Sequence, residues 1–356
     1  MKKEINKPII ETINYEASST SDGIPIDLNI SDPIATSFLM ADAPCITAFK
    51  GKLFVAFRDG RKSMNHCIVI CSSFDGKDWK LEATLNWKQD GKATLVPILT
   101  VDEEKIYIAY RREDDHKRCR MGYSEDGSSW TTFNVAYAIN LDQPPALTYD
   151  AGNKDLVLAI GTDTFDTPSK FHFGVSSDWE EHPGKFKGYN ISHDFPPCLT
   201  YMNGTTFFAY VDANGTDVVT RNPHTFSIYE LDDLNLKNRT RFILDSGLEK
   251  FLTTGRVCLT PWINYLMFGC IIDTDEEFSN NVSKNNFGGK SIPNIRLYFF
   301  VDGKVTTDSF EYLKKDIIDQ NYSTNDAIAI TSFNNKLFLA FKNLQGKLSV
   351  GYLELN

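Results

Sequence analysis

Short apolar stretches that end in threonine recur along the chain, and each is followed by a second apolar stretch. Each copy has a small or apolar residue, an aliphatic residue and then Thr, and a small residue follows nine positions later, or eleven in the third copy. A polar turn such as Lys50-Gly51-Lys52 separates the two halves, so each copy predicts a hairpin of two short strands. The six copies have their threonines at Thr47, Thr100, Thr148, Thr200, Thr260 and Thr331, and their small residues at Ala56, Ala109, Ala159, Ala209, Gly269 and Ala340.

In several copies a third apolar stretch follows the hairpin and runs into a tight turn. The turns of the first two copies, at 73–79 and 124–130, share the pattern Ser-x-Asp-Gly-x-x-Trp, and the third copy keeps only Ser177-Asp178-Trp179. A fourth strand is predicted after the first turn, over 80–85. Repeating units of about 50 residues with four short strands are typical of β-propeller blades.

The sequence therefore predicts an all-β fold: a six-bladed β-propeller with four-stranded antiparallel blades, in which residues 1–356 form a single domain. We expect the segment 8–15, which is strand-like, to close the ring as the outer strand of the sixth blade, because an open ring would leave unpaired strand edges. The six blades are expected to start near residues 44, 95, 144, 196, 256 and 326.

These turns and hairpins resemble a known superfamily. The Ser-x-Asp-Gly-x-x-Trp turn resembles the Asp box, or BNR repeat, of the sialidase superfamily, and hairpins such as PCITAFKGKLFVAFRDG at 44–60 resemble those of sialidase-like propellers along most of the chain. The resemblance implies a ligand in the central cavity, on the face opposite the Asp boxes. It implies the fold more strongly than the activity, because Asp boxes also occur in non-enzymes of the superfamily.

The composition and charge of the chain limit the kinds of partner and cofactor that we expect. The formal net charge is −10, so nucleic acid and an anionic membrane surface would repel the chain, and we expect neither as a partner. Seven cysteines without a CxxC pair, and histidines without metal spacing, favour no metal and no cofactor. A start at Met1 without an apolar signal segment predicts a cytoplasmic protein, with non-classical export as the alternative.

Charged residues recur where each hairpin begins and ends, and these strand ends should meet on the face opposite the turns. Their presence in all six units favours a polar central cavity, which is the usual binding site of a propeller. The candidates at the starts of first strands are Asp42, Asp194, Arg256 and Asp326. Those at the ends of second strands are Arg58, Asp59, Arg111, Arg112, Glu113, Asp163, Asp212, Asp273 and Lys342.

The resemblance to sialidases also implies a catalytic site. Sialidases hold a substrate carboxylate with three arginines, and Arg58, Arg111 and Arg256 are the candidates here. Tyr322 lies about where the family has its nucleophile, and Asp59 could serve as the acid. The chain departs from the family pattern, since Ala41-Asp42-Ala43-Pro44 stands where Phe-Arg-Ile-Pro is expected and no glutamate clearly partners the tyrosine.

Two functions stay open at this point. The first is a protein that binds a glycan or another small polar molecule without hydrolysing it, and the second is an enzyme, either a divergent glycoside hydrolase or one with other chemistry in the same cavity. A protein-interaction scaffold is a third interpretation. The polar segment 274–293 is expected to be a solvated insertion or a lid on the same rim, and the sequence predicts no oligomeric state.

Overall fold

The structure is a computed structural model, and the regular secondary structure in the residues it describes is β-strand, arranged in six antiparallel sheets. Within those residues no helix is long and apolar enough to pass through a bilayer. The described residues are 28–31, 33–61, 67–86, 93, 96–111, 119–135, 143–164, 167–180, 184–191, 196–212, 225–243, 252–253, 257–273, 293–301, 304–305, 310–311, 327–343 and 345–355.

Blades 1 to 4 each have an inner, a second, a third and an outer strand, in chain order. The strands of blade 1 are Cys45–Phe49, Lys52–Arg58, Ile68–Ser73 and Lys80–Leu85. Those of blade 2 are Ile98–Val101, Ile106–Arg111, Cys119–Ser124 and Thr131–Asn134. Those of blade 3 are Ala146–Asp150, Asp155–Thr164, Thr167–Ser176 and Lys185–Asn190. Those of blade 4 are Cys198–Met202, Thr205–Asp212, Thr225–Asp232 and Asn235–Ile243.

Blades 5 and 6 follow the same plan with some positions divided between two short strands. In blade 5 two strands share the inner position and two share the outer position. From the inside outward, blade 5 consists of Leu252–Thr253 with Cys258–Trp262, then Tyr265–Asp273, then Pro293–Val301, then Lys304–Val305 with Phe310–Glu311. Blade 6 consists of Ala329–Phe333, Lys336–Lys342 and Lys347–Leu355, with Leu28–Ile30 and Ile34–Leu39 at the outer position.

The predicted six-bladed propeller is therefore confirmed, including closure by N-terminal strands. Leu28 pairs with Leu355, and Ile34 pairs with Val350, so both short strands lie antiparallel to the third strand of blade 6. A backbone hydrogen bond of 2.9 Å from Ser31 to Tyr352 joins the same segments. The segment 8–15, which the sequence favours as the closing strand, lies outside the described residues.

The repeat seen in the sequence is also the repeat of the hairpin register. In every blade the residue two positions before the repeated Thr pairs with the small residue of the second strand. In five of the six pairs both residues are small. Four of these pairs contain only alanine and cysteine, and the fifth contains a cysteine and a glycine. The pairs are Cys45 with Ala56, Ile98 with Ala109, Ala146 with Ala159, Cys198 with Ala209, Cys258 with Gly269, and Ala329 with Ala340.

Hydrophobic packing between blades holds the ring together. The described residues form six buried clusters, and each cluster combines side chains of two neighbouring blades. Between blades 6 and 1, for example, Val55 and Phe57 pack with Phe338 and Ala340. In the part of the chain that the structure describes, the core is thus a ring of six interfaces around the axis, each shared by two blades.

The Ser-x-Asp-Gly-x-x-Trp turns are built in the same way in blades 1 and 2. In blade 2 the Asp126 carboxylate accepts backbone hydrogen bonds of 2.7 Å from both Ser128 and Ser129. The Trp130 indole donates to the Gly127 carbonyl at 3.1 Å, which folds the ring back over the turn. In blade 1 the equivalent tryptophan, Trp79, donates to the Gly76 carbonyl at 3.0 Å.

Each of these turns also contacts the preceding blade through its glycine. Gly127 has a φ of +80°, and a Cβ at this position would overlap the ring of Phe54 on the second strand of blade 1. Gly76 stands in the same relation to Phe338 of blade 6, also with a φ of +80°. Glycine is therefore required twice at each turn, once by the left-handed backbone and once by the neighbouring aromatic ring.

A comparison of Gly127 with Gly51 separates the backbone requirement for glycine from the requirement for space beside the aromatic ring. Gly51 has a φ of +76° with nothing near its Cβ position, so Gly51→Ala should meet backbone strain alone. We expect Gly51→Ala to lower the free energy of unfolding by about 1 kcal/mol, and Gly127→Ala by about 2–4 kcal/mol, because overpacking adds to the strain. Urea unfolding of both variants measures the difference. Equal losses would show that the contact with Phe54 contributes nothing.

The turn aspartates should also make stability depend on pH. The backbone N–H of Ser129, followed by that of Ser128, holds the pKa of Asp126 well below its ordinary value, and the backbone N–H of Lys77 lowers the pKa of Asp75. A carboxyl group whose pKa is lowered in the folded state stabilises the fold at pH values above its ordinary pKa, which is about 4 for aspartate. This stabilisation is lost as the pH falls through the folded-state pKa.

We therefore expect the double variant Asp75→Asn, Asp126→Asn to be less stable than the wild type at neutral pH. The difference should shrink as the medium is made more acidic, because the wild-type carboxylates then become protonated. Urea unfolding of both proteins over a pH series measures this. A difference that stays constant down to the most acidic folded sample would contradict an electrostatic role.

Candidate functional site

A narrow channel runs between the inner strands at the centre of the ring. Each inner strand pairs with the second strand on one side only, so its other backbone edge faces the axis and brings polar groups to the wall. The enclosed volume is about 120 Å³. All six blades contribute the same repeat residue to the lining, namely Thr47, Thr100, Thr148, Thr200, Thr260 and Thr331.

Three cysteines also line this channel, and their environment is that of packed thiols. Cys45 and Cys258 are buried, whereas Cys198 is partly exposed, and none of the seven cysteines, all of which are described, forms a disulfide bond. The Sγ atom of Cys198 accepts a hydrogen bond of 3.2 Å from the backbone N–H of Leu259 in the next blade. Away from the channel, burial raises the pKa of the Cys71 and Cys119 thiols to about 12.

An ion pair stands at the mouth of the channel, on the face opposite the Ser-x-Asp-Gly-x-x-Trp turns. Arg58, the last residue of the second strand of blade 1, donates through Nε to the carboxylate of Asp42, which precedes the inner strand. Its Nη1 also reaches the backbone carbonyl of Ala93 at 3.5 Å, in the segment before the inner strand of blade 2. One guanidinium group thereby bridges the gap between two blades.

Arg58 has counterparts in the two adjoining blades. Two residues after the small residue of the second strand, blade 6 has Lys342, blade 1 has Arg58 and blade 2 has Arg111. The Nζ atom of Lys342 donates to the backbone carbonyl of Ala41 at 2.9 Å. At the matching position blades 3, 4 and 5 have Gly161, Val211 and Ile271, so the cations occupy one side of the mouth.

Arg111 differs from Arg58 in its hydrogen bonding. Its Nε atom is buried and has no hydrogen-bond partner in the part of the chain that the structure describes. The same is true of the Oε1 atom of Gln143, which lies three residues before the inner strand of blade 3. A buried donor or acceptor without a partner costs about 1–3 kcal/mol, so both atoms would gain from a hydrogen bond to water or to a ligand.

Asp59 lies in a loop of blade 1 whose hydrogen bonding is repeated in the matching loop of blade 6. Its carboxylate is buried, accepts a hydrogen bond of 2.9 Å from the backbone N–H of Arg61 and forms an ion pair with that side chain. At the matching position of blade 6, the buried Asn343 accepts a hydrogen bond of 3.0 Å from the backbone N–H of Gln345. This shared pattern gives Asp59 a role in shaping its loop, and its assignment as an acid stays a prediction.

The described residues thus bring together only part of the predicted site. Asp42 and Arg58 are in contact, whereas Asp59 and Arg111 lie at or next to the ends of the second strands of blades 1 and 2. Asp163, Asp212 and Asp273 lie at or next to the ends of second strands, where they were expected, but only their backbone is described. The other predicted residues lie outside the described residues: Arg112, Glu113, Asp194, Arg256, Tyr322 and Asp326.

Sequence reasoning missed Gln143 and Ala93. Gln143 could have been found from its offset, since it stands three residues before the inner strand, as Asp42 does in blade 1. The strand-end prediction covers charged residues only, and Gln143 is neutral. Ala93 takes part through its backbone carbonyl, for which the sequence carries no signal. In the ranges that are described, no three His, Cys, Asp or Glu side chains are grouped closely enough to hold a metal ion.

Comparisons with known proteins support the propeller. No protein-family model and no curated protein sequence matches this chain. Among solved structures, a lectin from Aleuria aurantia in complex with α-methyl-L-fucoside is similar with a TM-score of 0.58 and 13% identity, over 89% of this chain and 93% of the lectin. A Trypanosoma rangeli sialidase in complex with the inhibitor DANA has a TM-score of 0.56 and 11% identity, over 92% of this chain and 59% of the sialidase.

A thermostable family-43 glycoside hydrolase is similar with a TM-score of 0.50 and 11% identity, over 79% of this chain and 98% of the hydrolase. At these identities the similarity extends to the fold alone. A lectin and glycoside hydrolases thus share the propeller architecture of this chain, and the fold by itself assigns neither activity to it.

The thiols offer a direct probe of the channel. We expect a small reagent such as methyl methanethiosulfonate to modify Cys198 first in the folded protein, because the other six thiols are buried. The measurement is mass spectrometry of the labelled protein over time, with Cys198→Ser as the control. Rapid labelling of folded Cys198→Ser would show that another thiol is more accessible.

Proposed function

We propose that the protein binds a carbohydrate or another small polar ligand at the mouth of the central channel, on the face opposite the Ser-x-Asp-Gly-x-x-Trp turns. The observation that carries this proposal is the set of cations at one strand position in three adjoining blades, Lys342, Arg58 and Arg111. They lie on one side of the entrance to a channel that is lined by threonines and by the polar edges of the inner strands.

The size of the channel argues for a ligand that rests on its mouth. Pockets that enclose a whole drug-sized molecule have volumes of roughly 300–1,000 Å³, whereas the channel encloses about 120 Å³. Only one substituent of a sugar would therefore enter, while the rest contacts the rim. Guanidinium groups suit such a rim because each presents several donors in a fixed planar array.

On this proposal the ligand-binding set comprises the rim residues predicted from the sequence, and the turns at 73–79 and 124–130 are Asp boxes. The similarity in fold to a lectin bound to a fucoside and to a sialidase bound to DANA supports a glycan ligand. The predicted rim residues are Asp42, Arg58, Arg111, Arg112, Asp163, Asp194, Arg256, Asp212, Asp273 and Asp326.

The alternative is a divergent glycoside hydrolase that uses the same face. It is favoured by the similarity in fold to a sialidase and to a family-43 hydrolase, and it assigns Tyr322 as the nucleophile and Asp59 as the acid. The Asp59 carboxylate is already engaged within its own loop, where it pairs with the Arg61 side chain and accepts a hydrogen bond from the Arg61 backbone N–H, which weighs against a catalytic role at this position. Binding without hydrolysis is therefore the preferred proposal.

A glycan array with matched arginine variants tests binding. Arg111→Gln removes a rim cation, and Arg120→Gln is its control, because Arg120 is on the third strand of the same blade and also has a buried Nε atom without a partner. We expect Arg111→Gln to weaken binding of the selected glycans about tenfold or more, since a hydrogen bond to a charged group contributes about 1.5–3 kcal/mol.

Arg120→Gln should leave the affinity unchanged, although it loses hydrogen bonds to Thr132 and Asn134 and is expected to be less stable. Equal affinities of the wild type and Arg111→Gln, in samples shown to be folded, would contradict a ligand at this mouth. An array on which the wild type binds nothing would contradict the carbohydrate proposal itself.

Assays with aryl glycosides test the alternative. A binding protein should show no turnover, and Tyr322→Phe should bind as the wild type does. Turnover that is present in the wild type and lost in Tyr322→Phe would establish the hydrolase and overturn the preferred proposal.

A further inference from the structure

Two buried polar atoms without partners belong to neighbouring blades on the same face of the ring. The Nε atom of Arg111 is a donor, and the Oε1 atom of Gln143 is an acceptor. Arg111 ends the second strand of blade 2, and Gln143 precedes the inner strand of blade 3. One unsatisfied donor and one unsatisfied acceptor are thus found on the two sides of a single gap between blades.

The hydrophobic packing below these residues brings the two strands together. Ala109, two residues before Arg111, and Leu147, four residues after Gln143, belong to the same buried cluster between blades 2 and 3. The preceding gap is built alike, because Ala56 and Leu99 share the cluster between blades 1 and 2. There Arg58 extends across the gap to the segment before the next inner strand, at Ala93.

The two gaps differ in the partner that each arginine has. Arg58 donates to Asp42, three residues before the inner strand of its own blade. At the matching position the sequence of blade 2 has Leu95, which cannot accept a hydrogen bond through its side chain. The sequence of blade 2 therefore has no carboxylate at the position that Asp42 occupies in blade 1, and the neutral Gln143 precedes the inner strand of blade 3.

We propose that the gap between blades 2 and 3 is a hydroxyl-binding subsite for a neutral sugar. This inference rests on the proposed function and specifies the ligand class. A single hydroxyl group completes both partners, since its oxygen accepts from Arg111 Nε while its hydrogen is donated to Gln143 Oε1. A carboxylate has acceptors only, so it satisfies Arg111 but leaves the glutamine oxygen unpaired against a second oxygen.

Gln143→Glu gives the sharpest test, because it adds one negative charge with almost no change in shape. The new carboxylate should pair with Arg111, as Asp42 pairs with Arg58, and thereby occupy the subsite. The control is Gln345→Glu, which adds the same charge at an exposed position after the second strand of blade 6. The probes are a panel of neutral methyl glycosides that includes methyl α-L-fucoside, and N-acetylneuraminic acid as the anionic sugar.

Isothermal titration should show that the wild type binds at least one neutral glycoside more tightly than N-acetylneuraminic acid. We expect Gln143→Glu to weaken that binding about tenfold or more, with no loss of thermal stability, and Gln345→Glu to bind as the wild type does. If Gln143→Glu fails to fold, Gln143→Met, which has a similar volume and no strong acceptor, should weaken binding in the same direction.

The outcomes distinguish this inference from the function on which it rests. If the wild type binds a glycoside and folded Gln143→Glu binds it equally well, the hydroxyl subsite is wrong while the binding function stands. A preference for N-acetylneuraminic acid over all neutral glycosides would likewise overturn the subsite alone. If the wild type binds none of the probes, the carbohydrate-binding function fails, and the subsite fails with it.

Discussion

The close approach of six strands to one axis is the constraint on which the rest of the molecule depends. Where the inner and second strands pair, four blades place two small residues opposite each other, as with Cys45 and Ala56, and a fifth places a cysteine opposite a glycine. Small side chains allow the sheets to converge, and the larger side chains farther along the strands then fill the six clusters between blades. The threonine-lined channel and its charged mouth follow from this convergence.

The architecture could be predicted from sequence because the same physical requirement recurs in every blade. Six repetitions of the Thr-to-small-residue spacing gave six hairpins, and their register agrees with that reading. The closing strands were harder to find. Leu28–Ile30 and Ile34–Leu39 are short and are separated by Pro33. Ile34–Leu39 is also largely exposed, and neither strand has a clear alternating pattern. Segment 8–15 has a stronger apolar pattern, and the sequence therefore favours it as the closing strand.

The candidate site could be predicted less completely, since it depends on how the blades differ. Charged residues at strand ends identified Asp42, Arg58 and Arg111, and the repeat indicates that the two arginines are equivalent. Their hydrogen bonding is not equivalent, because Arg58 donates to Asp42 whereas the Nε atom of Arg111 has no partner among the described residues. A single sequence does not show which strand ends are satisfied by neighbours, because that depends on contacts between blades rather than within them.

The strands that close the ring have a consequence for how the chain folds. Tyr352 donates its backbone N–H to the Ser31 hydroxyl, and these residues are 321 positions apart. Contacts over such a separation form only after a large loss of chain entropy, so blades with local hairpins are expected to assemble before the ring is sealed. During synthesis, the outer edge of blade 6 cannot be covered until its third strand, Lys347–Leu355, has left the ribosome. The closing strands Leu28–Ile30 and Ile34–Leu39 stay unpaired until then. Closure of the ring is therefore the folding step most exposed to misassembly.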